Sequence, residues 1–256
     1  MPAMPVFREN YVKLDEFLLP HAFSLYRAGN MAERFERTDV QTVWQRKKTI
    51  LNAVGGYPPD KCVGMIALHG SKILKIERDQ LGGFLKCDCL VTFIPGTALT
   101  LAQADCFPII LTNCSKSFAV LIHAGWRGLD LGIVGECVRF LERKNVHPFE
   151  VIAAVGPGIQ KCCYKNHENH ELLKKESWKP FISYDTSGAS INLLAKAKSD
   201  LVDAGVPKDN ILVADFCTCC REENDGSKEP LFFSHRRKKD EGRFLTVVGL
   251  ERKKTA

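Results

Sequence analysis

Between Cys62 and Ile122 one short apolar run follows another with only turns between them. Residues 63–68, 73–76, 89–94, 98–103, 109–112 and 118–122 each suit a strand, with Pro95-Gly96 and Asn113-Cys-Ser-Lys116 as turn signals. The gaps cannot hold a crossover helix each time, so a repeating βαβ architecture is excluded. Helical patterning is confined to a few stretches. Residues 129–144 place Ile133, Cys137, Phe140 and Leu141 on one face, with Glu136, Arg139, Glu142 and Arg143 towards water. A second helix is expected at about 189–204, stopped by Gly205 with Pro207 beyond it, and a short one at 42–51, ended by Gly55-Gly56. Strands at 151–155, 211–214 and 244–250 complete the pattern, and Phe232-Phe233 reads as the end of another. The expectation is an α+β fold, one domain over residues 1–256, with mixed β-sheets and helices packed outside. Residues 1–60 are the hardest to read.

Composition narrows the functional classes. The 256 residues are 45% apolar and 26% charged, ordinary for a soluble globular chain, and no apolar run is long enough to span a bilayer. The N-terminus lacks a signal-peptide layout, so a cytoplasmic protein without a membrane partner is expected. The net charge is +6, and the densest basic run, Arg236-Arg237-Lys238-Lys239, is followed at once by Asp240-Glu241. Such a run reads as a solvated loop, and without stacking aromatics or a known module nucleic acid is not an expected partner.

Eleven cysteines, with no secretion signal, read as reduced thiols. Several cluster, at Cys87-Asp88-Cys89, Cys162-Cys163 and Cys217-Thr218-Cys219-Cys220. Two readings stand for them: small apolar residues at strands and strand ends, or a four-cysteine zinc site using Cys217, Cys220 and two others.

One hairpin carries more specific chemistry. A loop centred between Cys114 and Ser115 sets Cys106 opposite His123, Pro108 opposite Leu121 and Ile110 opposite Ala119. Opposed residues share a sheet face, so a thiolate and an imidazole would meet there. His69, ending an apolar strand before Gly70, is the natural third ligand. One Cys and two His leave a fourth position of zinc open, as in catalytic sites; copper is the other candidate. The plain alternative is a core cysteine with two satisfied histidines. Asp105 is a candidate general acid or base if the chain bends beside it, and Asp88 a weaker one. The turn His123-Ala-Gly125-Trp126-Arg127-Gly128 feeds a helix, so Gly125, Gly128 and Arg127 could hold phosphate; equally, the glycines could serve only close packing.

Taken together, Ala104-Asp-Cys-Phe-Pro108, His123-Ala-Gly-Trp-Arg-Gly128, Gly156-Pro157, Cys163-Tyr164, Cys217-Thr218, Phe233-Ser234, Arg236 and Gly242-Arg243-Phe244 resemble the YfiH-like laccase-domain family. The resemblance covers roughly residues 60–250. Ala67, Gly158, Lys165 and His235 depart from the family pattern, and His21-Ala-Phe-Ser-Leu-Tyr-Arg27 is at best a remnant of its N-terminal element. The resemblance implies a metal at His69, Cys106 and His123. It also implies phosphorolysis of adenosine, inosine and methylthioadenosine, with adenosine deamination in addition; an older assignment is copper-dependent phenol oxidation. On this reading the metal activates or orients a water or phosphate oxygen, the Gly125–Gly128 turn with Arg127 holds phosphate, and Asp105 carries protons for deamination. Two other functions fit the same residues: a thiol hydrolase with Cys106 as nucleophile and His123 as base, and a non-enzymatic zinc domain.

Overall fold

The computed structural model describes residues 4–32, 39–166, 170–186, 188–223, 226–237 and 241–252. The chain opens with β1 (Pro5–Phe7), β2 (Tyr11–Leu14) and β3 (His21–Ser24), followed by helix α1 (Val40–Ala53). Next come β4 (Cys62–Ala67), β5 (Ile73–Lys75), β6 (Phe84–Cys87), β7 (Cys89–Thr92), β8 (Thr97–Gln103), β9 (Phe107–Asn113) and β10 (Ala119–Ala124). Helices α2 (Trp126–Asp130) and α3 (Ile133–Glu142) precede β11 (Val151–Val155). The remainder is β12 (Lys165–Asn166), β13 (Ile182–Asp185), β14 (Gly188–Ile191), α4 (Leu193–Asp203), β15 (Ile211–Val213) and β16 (Phe244–Leu250).

Two sheets dominate. A seven-stranded sheet runs β1-β2-β3-β16-β8-β4-β6, a six-stranded one β15-β11-β9-β10-β7-β5, and β12-β14-β13 make a small third. The faces of the strands explain the layering. Ile110, Leu121 and Leu90 join Val63, Leu99 and Leu101 in a core between the two large sheets. Ile109, Leu111, Val120 and Ile122, one residue away, point instead to a core shared with α3 and α4 residues such as Val134, Cys137 and Leu201. Ile50 and Leu51 of α1, with Val54 just after it, pack on the outer face of the seven-stranded sheet. The layers are therefore helix, sheet, sheet, helices. The expected α+β class with mixed sheets and outside helices is the observed one.

Several expectations are corrected. The helix expected over 129–144 is two, because Gly132 takes a left-handed conformation (φ 74°) between α2 and α3. The helix expected from residue 189 starts at Leu193; Ala189 lies in β14, and Asn192 caps the helix by accepting from Ala195 N. Phe232-Phe233 is not strand: both rings are buried in a loop packed against the inter-sheet core. The region hardest to read contributes β1–β3, and His21 and Phe23 of its remnant element sit within a strand paired to β16. Of the basic run, Lys238, Lys239 and Asp240 lie outside the described residues, while Arg237 bonds the carbonyls of Thr218, Cys219 and Phe232.

Candidate metal centre

Topology brings the candidate ligands together. Strands β6, β4 and β8 run parallel, so their C-terminal ends lie on one edge of the seven-stranded sheet. Each then crosses into the six-stranded sheet: β4 to β5 through His69, β6 to β7 through Asp88 alone, and β8 to β9 through Ala104, Asp105 and Cys106. Strand β10 runs antiparallel to β7 and β9 and so ends at the same edge, with His123 in its last turn of pleat. Three sheet-to-sheet corners and one strand end thus converge.

The hairpin register differs from the expected one by two residues. His123 pairs with Pro108, Leu121 with Ile110 and Ala124 with Phe107. The turn is displaced because Asn113 gathers it: its side-chain oxygen accepts from Ser115 Oγ (3.0 Å), Ser117 N (3.0 Å) and Ser117 Oγ (3.1 Å), and Lys116 adopts φ 51°. A shift of two keeps every side chain on its face, so Cys106 and His123 remain neighbours, now diagonal and not directly opposed. The proline is harmless on this side, because His123 directs its N–H to Asp88 O (2.8 Å) and not to Pro108.

Ligand atoms of His69, Cys106 and His123 all lie within 4.8 Å of one another. The His69 and His123 rings meet edge to face at 4.8 Å. His69 holds a positive φ of 60° and is exposed, Cys106 is half-buried and His123 is buried, so the cluster opens towards solvent on the His69 side. Bonds of about 2.0–2.3 Å from a tetrahedral zinc ion put its ligand atoms about 3.3–3.8 Å apart. The two imidazoles and one thiol are the right donors, at a spacing that small side-chain adjustments satisfy. The residues present fit a zinc ion.

Behind the ligands stands Asp88, fully buried. Its Oδ1 accepts from Leu68 N (3.0 Å) and lies 3.4 Å from His123 Nδ1. Burial raises its pKa, but the His123 hydrogen bond and the backbone N–H groups of Gly70 and His69 outweigh it and the net direction is down. A carboxylate at Nδ1 leaves Nε2 of His123 free to face the centre. Burial alone would lower the pKa of His123, yet the neighbouring Cys106 sulfur and the carboxylate of Asp88 push it up to about 9. His69 moves the other way, lowered by burial and then by His123. A buried acid forming the whole link between two strands is the one sequence sign that could have promoted Asp88.

The other expected site residues have distinct places. Asp105 bends the chain with φ 71°, and both carboxylate oxygens are engaged: Oδ1 accepts from Thr218 Oγ1 and Oδ2 from Arg236 N, each at 2.7 Å. Gly125 makes room for sulfur, since a Cβ there would lie 2.7 Å from Cys106 Sγ. Gly128 is packed on the neighbouring corner, where a Cβ would lie 2.9 Å from Gly70 O. These contacts favour the close-packing account of both glycines, and α2 is only five residues long. Arg127 is exposed with its guanidinium over the Trp126 ring (4.4 Å to the centroid). Beyond it stands a wall of which the sequence offered Trp126, Tyr164 and Arg236 only as motif residues and His170 not at all. Trp126 meets His170 edge to face at 5.0 Å, Tyr164 Oη lies 3.5 Å from His170 Nε2, and Arg236 stands 4.9 Å from the centroid of Tyr164. Burial raises the Tyr164 pKa to about 12, and Arg236 pulls the other way.

The chain is similar to known proteins over most of its length. A purine nucleoside phosphorylase, YlmD, of Geobacillus stearothermophilus is 31% identical over 229 residues, covering 84% of this chain and 80% of its own. Another named purine nucleoside phosphorylase, Cj1217c of Campylobacter jejuni, is 32% identical over 199 residues, covering 75% and 78%. The crystal structure of YlmD from Geobacillus stearothermophilus superposes with a TM-score of 0.85 at 25% identity, over 98% of this chain and 100% of that one. The YfiH structure of Bacillus licheniformis gives 0.83 at 25% identity, over 95% and 97%. The family described as multi-copper polyphenol oxidoreductase laccase matches residues 22–251, and with the shared fold and extent of these relatives the chain belongs to that family.

Proposed function

We propose that this chain is a purine nucleoside phosphorylase whose centre is a zinc ion held by His69, Cys106 and His123, with copper as the alternative ion. The observation that carries the reading is the convergence of these three donors at an opening walled by aromatic and basic side chains. The names of the relatives support it. Adenosine, inosine and methylthioadenosine are the proposed substrates, with phosphate as co-substrate, and a cytoplasmic location goes with free thiols.

In phosphorolysis a phosphate oxygen bonds to C1′ of the ribose, the bond from C1′ to the base breaks, and the departing purine takes up a proton. Arg127 holds the phosphate by charge-assisted hydrogen bonds. The rings of Trp126, Tyr164 and His170 offer faces and edges to the base. Asp88 fixes the orientation of His123, and Asp105 anchors the Cys106 corner. When bound, zinc supplies Lewis-acid charge beside the reacting groups. Deamination of adenosine, in which water replaces the amino group at C6 and ammonia leaves, is an accessory activity of the same opening.

Incubation with inosine and phosphate should release hypoxanthine and ribose 1-phosphate, and Cys106→Ala should fall to background. Equal turnover by the two proteins overturns the proposal. Arg127→Ala should raise KM for phosphate about 10–100-fold, the worth of a hydrogen bond to a charged group.

One observation favours a second reading. Asp88, His123 and Cys106 stand in line, the arrangement of a thiol nucleophile with its base and orienting acid. Alkylating Cys106 with iodoacetamide in metal-free protein separates the two. An activity that survives chelation and is lost only on alkylation belongs to the thiol.

A further inference from the structure

The second concentration of sulfur lies where two loops meet. One loop follows β11 and turns at Gln160, whose carbonyl accepts from Cys163 N (3.0 Å) and Tyr164 N (2.9 Å). The other follows β15 and turns at Cys217, whose carbonyl accepts from Arg221 N (3.1 Å). A parallel bridge between Gly158 and Cys217 ties them, with Thr218 N donating to Gly158 O (3.1 Å) and Gly158 N to Phe216 O (3.3 Å). Each loop presents two thiols. The sulfurs of Cys162, Cys163, Cys217 and Cys220 all lie within 4.8 Å of one another, and those of Cys162 and Cys220 are 3.6 Å apart.

That spacing distinguishes a metal site from a bridge. A disulfide needs about 2.05 Å between sulfurs. Four thiolates around a tetrahedral zinc ion at about 2.3 Å lie about 3.8 Å from each other. Backbone donors are also in place: Gln160 N lies 3.5 Å from Cys217 Sγ, and the N–H groups of Cys219 and Cys220 point to the same sulfur. Such donors hold a metal thiolate in position and spread its charge. Cys219 packs against the helical core and stands outside the group, which leaves the C-x-x-C spacing of a zinc knuckle at Cys217 and Cys220.

We propose that Cys162, Cys163, Cys217 and Cys220 bind one zinc ion in a closed four-sulfur site, distinct from the centre at His69, Cys106 and His123. Four Zn–S bonds form, the thiol protons leave to solvent, and no electron is transferred. The set has no open position, so its role is structural. It clamps the corner that carries Cys106. Thr218, between two of the ligands, donates to Asp105 Oδ1, and Ile159 N, in the other loop, donates to Asp105 O (2.8 Å). The inference does not depend on the phosphorylase reading.

Protein purified without a metal-affinity tag should contain two zinc ions per chain. Cys106→Ala should retain one, and a Cys162→Ser/Cys220→Ser variant should lose one. Cobalt(II) loaded into Cys106→Ala should show the sulfur-to-metal charge-transfer and intense visible bands of a tetrahedral tetrathiolate, absent from the double variant. Should the double variant fail to fold, Cys106→Ala titrated with an organomercurial should release one zinc to a chromogenic chelator as four thiols react. Three results would each overturn the proposal: no zinc in folded Cys106→Ala, zinc content unchanged by the double substitution, or a Cys162–Cys220 disulfide in the protein as purified.

Discussion

Gly125 is bound by space, not by backbone conformation: its φ is −83°, which any residue adopts, yet a methyl group would press on the sulfur of Cys106. Gly125→Ala should fold with a cost of about 1–3 kcal/mol, the usual range for overpacking. Because the sulfur must move, zinc at this centre should drop in metal analysis far more than the melting temperature does. His21 makes a separate prediction. Its Nδ1 donates to Leu19 O and its Nε2 accepts from Leu14 N, so the folded protein needs the neutral ring. Burial, only partly opposed by the Leu19 bond, holds its pKa down at about 4. The unfolded chain takes up the proton near its ordinary value of about 6.5, so between these values the unfolded state binds more protons. Stability should therefore fall by about 3 kcal/mol as pH drops from 6.5 towards 4, and urea unfolding of wild type against His21→Gln should show that slope only in wild type.

Among the elements, the β9–β10 hairpin shows what sequence can and cannot fix. Its alternating apolar residues fix which side chains share a face, because a slip of one residue would turn Ile109 and Ile110 inside out. They do not fix a slip of two, and that choice is made by the side chain of Asn113 inside the turn. Asn113→Ala should cost about 1–3 kcal/mol in urea unfolding while leaving zinc content unchanged, since once folded the ladders of β9 with β11 and of β10 with β7 hold both strands in register. Helix bounds were legible to within the resolution of caps: the break at Gly132 and the start at Asn192 depend on local conformations that apolar periodicity does not record. The His69, Cys106 and His123 trio was legible from residue chemistry beside one hairpin. Asp88 was legible only as a weaker candidate acid, and neither its bond to His123 nor the wall of Trp126, Tyr164 and His170 was, because these meetings depend on contacts between distant segments.

Across the whole molecule the decisive fact is that parallel strands β4, β6 and β8 leave one sheet at a common edge and enter the other there. The ions proposed at that edge would tie segments far apart in sequence. Metal bound only by the folded state adds stability through mass action, about 4 kcal/mol at a thousandfold excess over Kd. Treatment with a strong chelator should lower the melting temperature, and added zinc should restore it; a melting temperature indifferent to both would mean that no ion is held there.

The corners carry the donors, while the strand interiors carry only packing. Packing and reactivity therefore rest on different residues in this architecture. Trimming Ile109 or Leu121 to valine thins the filling of a layer and leaves the edge chemistry its own anchors, whereas a change at Asp88 or Asp105 unsettles a ligand without emptying any core. A designer could retune the filling of the layers and the reagents at the rim as two nearly separate problems, joined only through whatever an ion at the rim adds to hardiness.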